Sequence, residues 1–287
     1  MSSKTNRSAR TWAARSGFGV MRLAAFVNVA SLLAIIGLII AEALPGLSWE
    51  FLTEPPKNMM TEGGIWPCLL GTFLLAMGSL VIALPLGVAA AVYLHEYADK
   101  TSAWVTLTRL SIANLAGVPS IVFGLFGLTF FVVFCGFGVS LLSGILTLAV
   151  LSLPIIINTT EAALAQVPQD WREASLALGA SPFETIMKVI LPNALPGILT
   201  GSILALSRAA GETAAIMYTG SVFFTPKESA SLFEPVMALP YHIYVLATSG
   251  TNIEATRPLQ YGTALVLLLL VLCMSSAAIW LRERRRG

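Results

Sequence analysis

Six long apolar runs constrain what this chain can fold into. Each approaches or exceeds the roughly 20 apolar residues that a helix needs to cross a bilayer. Only 11% of the 287 residues are charged, against roughly 25% in a soluble domain, so most of the chain cannot form a water-facing surface. The sequence therefore predicts an all-α membrane protein with six transmembrane helices. The runs extend from about Leu23 to Leu44, Ile65 to Leu94, Leu115 to Cys135, Val139 to Ile157, Leu195 to Tyr218 and Gly262 to Leu281.

The first run, residues 23–44, follows a basic tail of residues 1–22. Ala41-Glu42-Ala43 resembles a signal-peptidase site, so a cleaved signal peptide is one interpretation. The run is longer than the 7–15 apolar residues of a usual signal peptide, which favours an uncleaved transmembrane helix. We expect a transmembrane core at residues 65–281, containing a cytoplasmic loop at 158–193 and an outer loop at 221–261, and a second basic tail at 282–287.

Basic residues give the expected orientation, because Lys and Arg concentrate on the cytoplasmic side of membrane proteins. With the N-terminus inside, the outer segments hold only Lys57, Lys227 and Arg257. Both termini are then expected in the cytoplasm. A basic tail can also bind nucleic acid, but beside a membrane helix we expect it to set orientation instead. The inner segments hold Lys4, Arg7, Arg10, Arg15, Arg22, Lys100, Arg109, Arg172, Lys188, Arg282, Arg284, Arg285 and Arg286.

Residue types that usually bind metals or cofactors are scarce and scattered. The three cysteines form no CxxC pair, and His95 and His242 have no cluster of metal ligands beside them in the sequence. We expect no metal, cofactor or catalytic triad. The sequence also contains no GxxxxGK[ST] phosphate-binding loop, so any ATP hydrolysis must come from another subunit.

The loop between the fourth and fifth runs predicts two short helices on the cytoplasmic side. Pro168 suits a first helical turn, and Gly179 suits the left-handed residue that ends a helix. Ser181-Pro182-Phe183-Glu184 matches the start of a second helix with a capping box. Physical reasoning leaves two uses for the apolar face of this unit: binding a partner or packing on the protein's own membrane face. That face carries Trp171, Ala174, Ser175 and Leu178 at i, i+3, i+4 and i+7.

The same segment resembles the EAA loop of permease subunits in ATP-driven (ABC) importers. Glu173-Ala174-Ser175, Gly179 and Val189-Ile190-Leu191-Pro192 stand at the spacing of that motif, with Ser175 and Val189 as mild departures. The resemblance implies a type I, MetI-like permease fold whose first short helix docks on an ATP-hydrolysing subunit. It assigns this coupling to Glu173, Ala174, Gly179 and Pro192.

Two charges interrupt the fifth run. An arginine at the centre of a span costs roughly 2.5–3.5 kcal/mol on insertion scales, so Arg208 must face protein or water. Arg208 and Glu212 are four residues apart, and on one continuous helix they would share a face. They either neutralise each other inside the helix bundle, or Arg208 lies on the route of an anion that Glu212 helps to hold or release. A guanidinium matches phosphate oxygens well.

The segment Ser207-Arg208-Ala209-Ala210-Gly211-Glu212-Thr213-Ala214 resembles the fifth-span motif of phosphate importer permeases of the PstA type. The likeness extends over most of the chain from Gly63 onward, and Ala215 departs from the more usual proline. It implies that Arg208 and Glu212 belong to the phosphate path. Two further stretches that carry the likeness are Ala83 to Tyr97 and Gly117 to Gly124.

These resemblances imply one permease subunit of an inorganic phosphate importer in a bacterial inner membrane. The implied partners are a second permease (PstC-like), a homodimeric ATP-binding subunit (PstB-like), an extracytoplasmic phosphate-binding protein (PstS-like) and membrane lipid, but no nucleic acid. Permeases for sulfate, molybdate or phosphonate share the EAA loop and are the nearest alternative. A stand-alone channel, an ion-driven carrier and a scaffold without transport are the other classes considered.

Overall fold

The structure, a computed structural model, describes residues 3–57, 62–99, 101–225, 231–248 and 253–284, apart from the side chains of residues 3–16 and 253–255. Several basic residues of the orientation argument therefore lie outside the described part: Lys100, Lys227, Arg285 and Arg286 entirely, and Lys4, Arg7, Arg10 and Arg15 as side chains.

Helices account for most of the described chain. They are α1 Ser3–Ala43, α2 Trp49–Thr53, α3 Trp66–Val92, α4 Ala103–Ala116, α5 Ser120–Gly127, α6 Leu141–Ala165, α7 Gln169–Ala177, α8 Pro182–Thr185, α9 Leu191–Ala210, α10 Leu239–Thr248 and α11 Ile253–Arg284. Wider π-helical turns at Tyr93–Tyr97 and Leu128–Phe134 extend α3 and α5, and a third, Ile186–Ile190, joins α8 to α9. Two 3₁₀ turns are Leu44–Gly46 and Ile216–Tyr218. Two short antiparallel strands, β1 Pro56–Lys57 and β2 Glu62–Gly63, precede α3.

Within the described ranges, five helical segments are long and apolar enough to cross a membrane, and a bent helix pair brings the total to six. The predicted six-helix membrane architecture is confirmed in this form. The five segments are Gly17–Gly46, Trp66–Tyr97, Leu141–Ala165, Pro182–Ala210 and Thr256–Arg284. The bent pair joins Ala103–Ala116 to Ser120–Phe134 at an angle of 104°.

The predicted third span is wrong at its start. Leu115 belongs to α4, and the straight part of the span begins only at Ser120. Pro119 occupies the cap position of α5, and the residue before a proline is kept out of the helical conformation. The chain therefore bends sharply across Gly117–Pro119. At the other end of α4, the turn from α3 is closed by Asp99, which accepts hydrogen bonds from the N–H and hydroxyl of Thr101; these bonds lower the pKa of Asp99.

α6 forms the centre of the bundle. Of its most apolar 18-residue stretch, 67% is buried, compared with 28% for α3 and none for α1. α3 and α9 pack along α6, while α11 packs against α1, α9 and α10. Small residues allow the close approach of α9 to α6: a Cβ at Gly201 would overlap the side chain of Thr159, and one at Gly197 would meet Ala163. α6 also continues beyond the predicted end at Ile157, as far as Ala165.

The predicted fifth span, Leu195 to Tyr218, ends too late. α9 ends at Ala210, and Gly211 takes its C-cap position with φ −94° and ψ −1°. The segment after Gly211, as far as Thr225, forms no long helix. Its backbone pairs with a later part of the chain: Val222 N–H donates to Val236 O and Val236 N–H donates to Gly220 O, both at 3.0 Å. The predicted outer loop contains α10, whose Leu239, Pro240, His242, Val245 and Leu246 are buried. It is thus partly a packed element of the bundle, and the last helix begins at Ile253 instead of Gly262.

Candidate functional site

The loop between α6 and α9, predicted as cytoplasmic, has the expected helix–turn–helix form. α7 follows Pro168, which takes the cap position one residue earlier than expected. Gly179 has φ +87°, the left-handed conformation that ends α7. The capping box of α8 is present: the Ser181 hydroxyl accepts from Glu184 N–H at 3.3 Å, and the Glu184 carboxylate accepts from Ser181 N–H at 3.1 Å. The loop is therefore locally specified, since each turn residue satisfies its own backbone.

Large apolar side chains of this loop are uncovered. Leu178 is 90% exposed, Phe183 64% and Trp171 47%. Ser175, predicted on the same face, is instead half-buried and shares a 2.9 Å hydrogen bond with the Thr185 hydroxyl, which joins α7 to α8. An apolar patch of this kind marks an interaction surface. Glu173, Ala174, Gly179 and Pro192 are also exposed.

Arg208 and Glu212 do not form the ion pair that one continuous helix would allow. Arg208 lies in the last turn of α9, and Glu212 lies beyond the helix end at Ala210. The Glu212 carboxylate accepts from Ala214 N–H at 3.1 Å and from Ala215 N–H at 3.4 Å. The Arg208 side chain is exposed, and within the described ranges it has neither an ion-pair partner nor a hydrogen bond.

A groove of about 820 Å³ between α6 and α9 extends from the start of α7 to Ser207 in the last turn of α9. Pro168 and Trp171 form the end of the groove near α7. Ser207, the residue before Arg208, lies at the other end. Most of its lining is apolar, and five polar side chains occur along its length. These are Thr159, Gln166, Asn193, Thr200 and Ser207.

A second polar cluster joins α4 and α7 to the C-terminal ends of α3 and α6. Arg172 of α7 contacts Glu96 at 2.9 Å, and Glu96 also contacts the His95 ring at 2.8 Å. Nearby, Arg109 of α4 lies 3.0 Å from the Glu161 carboxylate and donates to Leu94 O at 2.8 Å. Sequence reasoning missed this cluster. Of its members, only His95 and Glu96 directly follow an apolar run, the one that ends at Leu94.

Similarity to known proteins identifies the class. Residues 83–287 match the family described as "Binding-protein-dependent transport system inner membrane component", and this chain belongs to that family. It is thus a multi-pass membrane protein and a transport subunit. A family defined by dependence on a binding protein implies partners of two general kinds, a substrate-binding protein and an ATP-hydrolysing subunit.

Particular relatives cover nearly the whole chain. The "Probable ABC transporter permease protein YqgI" of Bacillus subtilis is 35% identical and covers 92% of both chains. The "Phosphate transport system permease protein PstA" of Xylella fastidiosa is 36% identical, covering 89% of this chain and 90% of its own. A solved structure of the MetNI methionine ABC transporter in an inward-facing conformation is 25% identical with a TM-score of 0.58, covering 77% of this chain and 94% of that one. The predicted type I, MetI-like permease fold is confirmed.

Proposed function

We propose that this chain is a permease subunit of an ATP-driven inorganic phosphate importer and forms one half of its translocation path. The observation that carries the proposal is Arg208, whose exposed side chain directly follows Ser207 at one end of the groove between α6 and α9. A cation in a span needs water, a protein partner or an anion. The fixed fork of donors on a guanidinium matches the oxygens of phosphate.

Glu212 has a different part in this path. Because its carboxylate is already engaged by the N–H groups of Ala214 and Ala215, it leaves the positive charge of Arg208 available to a substrate. Glu212 holds the unwound segment after α9 in place, and its negative charge, one turn beyond Arg208, limits how long an anion remains bound. The pair then acts as a site that binds and releases phosphate.

The cytoplasmic loop supplies the connection to ATP. The exposed face around Trp171, Leu178 and Phe183 docks on a PstB-like homodimer, with Glu173, Ala174, Gly179 and Pro192 as coupling residues. A PstC-like permease covers the open side of the groove, and a PstS-like protein delivers phosphate from outside. This arrangement requires both termini in the cytoplasm, in agreement with the basic residues near each end.

The likeness to a phosphate permease supports phosphate as the cargo. Sulfate, molybdate and phosphonate remain the competing oxyanions, because a guanidinium binds all of them. The test is uptake of labelled phosphate by cells whose other phosphate systems are deleted, with each competing oxyanion added in excess. We expect uptake that depends on this chain and on ATP, and that excess sulfate or molybdate leaves nearly unchanged. Uptake of sulfate or molybdate in place of phosphate would show that the cargo is wrong.

A further inference from the structure

The ion pair between Glu96 and Arg172 joins parts of the chain that are 76 residues apart in sequence. Glu96 lies in the π-helical turn that ends α3, and Arg172 lies on α7 of the cytoplasmic loop. Their side chains are only 12% and 14% exposed, so the 2.9 Å contact is well shielded from water. His95 lies 2.8 Å from the same carboxylate oxygen. A shielded pair of this kind is costly to separate, because either charge alone would be left without its partner.

Arg172 also fixes the junction between α6 and α7. One of its terminal nitrogens donates to Leu164 O at 3.0 Å, and the other donates to Val167 O at 3.2 Å. These carbonyls lie at the end of α6, where a cation is favourable. A purely local capping role would need these two bonds alone. The contact with Glu96 goes further, because it extends the junction to α3.

A neighbouring arginine repeats the arrangement. Arg109 of α4 lies 3.0 Å from Glu161 of α6 and donates to Leu94 O in the turn that ends α3. The C-terminal end of α3 is therefore bonded to both α4 and α7. This matters for motion, because the chain joins α7 directly to α6 on one side and through α8 to α9 on the other, but not to α3. With the Glu96–Arg172 pair in place, a displacement of α7 also pulls on α3.

We propose that Arg172 is a positioning residue which, through Glu96, transmits movement of α7 into α3. This inference rests on the proposed function, in which an ATPase subunit moves α7. The transmission makes α3 and α9, the two helices that pack along α6, move together when ATP binds. Without the pair, α9 still moves with the ATPase subunit but α3 does not. ATP hydrolysis then continues without opening the translocation path.

The test uses the complete complex, reconstituted in lipid vesicles with its partner permease, its ATPase and its binding protein. Glu96→Gln, Arg172→Gln and the double variant are compared for ATP hydrolysis with and without loaded binding protein. We expect hydrolysis without binding protein to persist, and the stimulation by binding protein to fall at least tenfold in each variant. The double variant should be no worse than either single one, because both changes remove the same link. Arg172→Lys, which keeps the charge, should retain most of the stimulation.

Arg22→Gln is the control, because Arg22 is exposed and the same change there should leave stimulation at the wild-type level. If the Arg172→Gln complex fails to assemble, the stimulation measured for Glu96→Gln tests the proposal alone. That variant leaves the bonds of Arg172 to Leu164 and Val167 in place. Normal stimulation in Glu96→Gln, or defects that multiply in the double variant, would overturn the proposal. The binding protein is loaded with the oxyanion that the wild-type complex transports. A cargo other than phosphate would therefore refute the proposed substrate and still allow the link to be tested.

Discussion

Arg208 and Glu212 lie on opposite sides of a helix end. Arg208 belongs to the last turn of α9, while the Glu212 carboxylate turns forward to accept the N–H groups of Ala214 and Ala215. Four residues of separation would place them on one face of a continuous helix. The stop at Gly211 separates them instead, and Arg208 is exposed. The proposed anion path depends on this separation.

The first prediction concerns Glu212. Glu212→Ala removes the acceptor of two backbone N–H groups and should destabilise the turn by about 1 kcal/mol, as the loss of a helix cap does. Glu212→Gln keeps an oxygen at that position and should be milder. Thermal unfolding of the purified complex measures the difference. Equal melting temperatures for Glu212→Ala and the wild type would show that these hydrogen bonds contribute little.

The second prediction concerns Gly179 in the loop between α7 and α8. A Cβ there would meet nothing within 4 Å, so any cost comes from the backbone, whose φ is +87°. Gly179→Val should cost about 1–2 kcal/mol locally, distort the end of α7 and release the ATPase subunit. Gly179→Asn is the control, because asparagine tolerates the left-handed conformation better. Co-purification of the ATPase measures the effect, and equal retention by both variants would contradict it.

The third prediction uses two glycines near the groove. Gly201→Ala places a methyl group against Thr159 and should cost about 1–3 kcal/mol, as overpacking of a well-packed core does. At Gly211, a Cβ would meet only two backbone carbonyl oxygens, at 3.8 and 3.9 Å, so Gly211→Ala should be tolerated. Thermal unfolding and phosphate uptake in lipid vesicles, measured for both variants, test this prediction. A destabilised Gly211→Ala with a stable Gly201→Ala would contradict the packing of α6 on α9.

Local features of the fold could be predicted from the sequence where neighbouring residues determine them. The capping box at Ser181 and Glu184 and the left-handed Gly179 are confirmed, because each is specified within four residues of chain. The six apolar segments are also confirmed, since bilayer thickness sets their length.

Breaks within apolar segments were harder to predict. Mean hydropathy does not distinguish a helix from an irregular apolar segment, so the bend at Pro119 and the stop at Gly211 were both missed. The backbone of the irregular segment after Gly211 is satisfied partly by residues far along the chain, since Val236 bonds to Gly220 and Val222 and Ser140 N–H donates to Thr219 O. The Glu96–Arg172 pair was missed for a similar reason, since nothing in the sequence indicates that positions 76 residues apart meet.

The most direct test of the account is ATP-dependent phosphate uptake by the Arg208→Gln complex. A charge-assisted hydrogen bond is worth about 1.5–3 kcal/mol, so uptake should fall by about tenfold or more. Arg208→Lys keeps a charge but loses the guanidinium fork. Its uptake should lie between that of the wild type and that of Arg208→Gln. Assembly and hydrolysis without binding protein should be unchanged in both. Uptake at the wild-type rate by a fully assembled Arg208→Gln complex would contradict the assignment of Arg208 to the anion path.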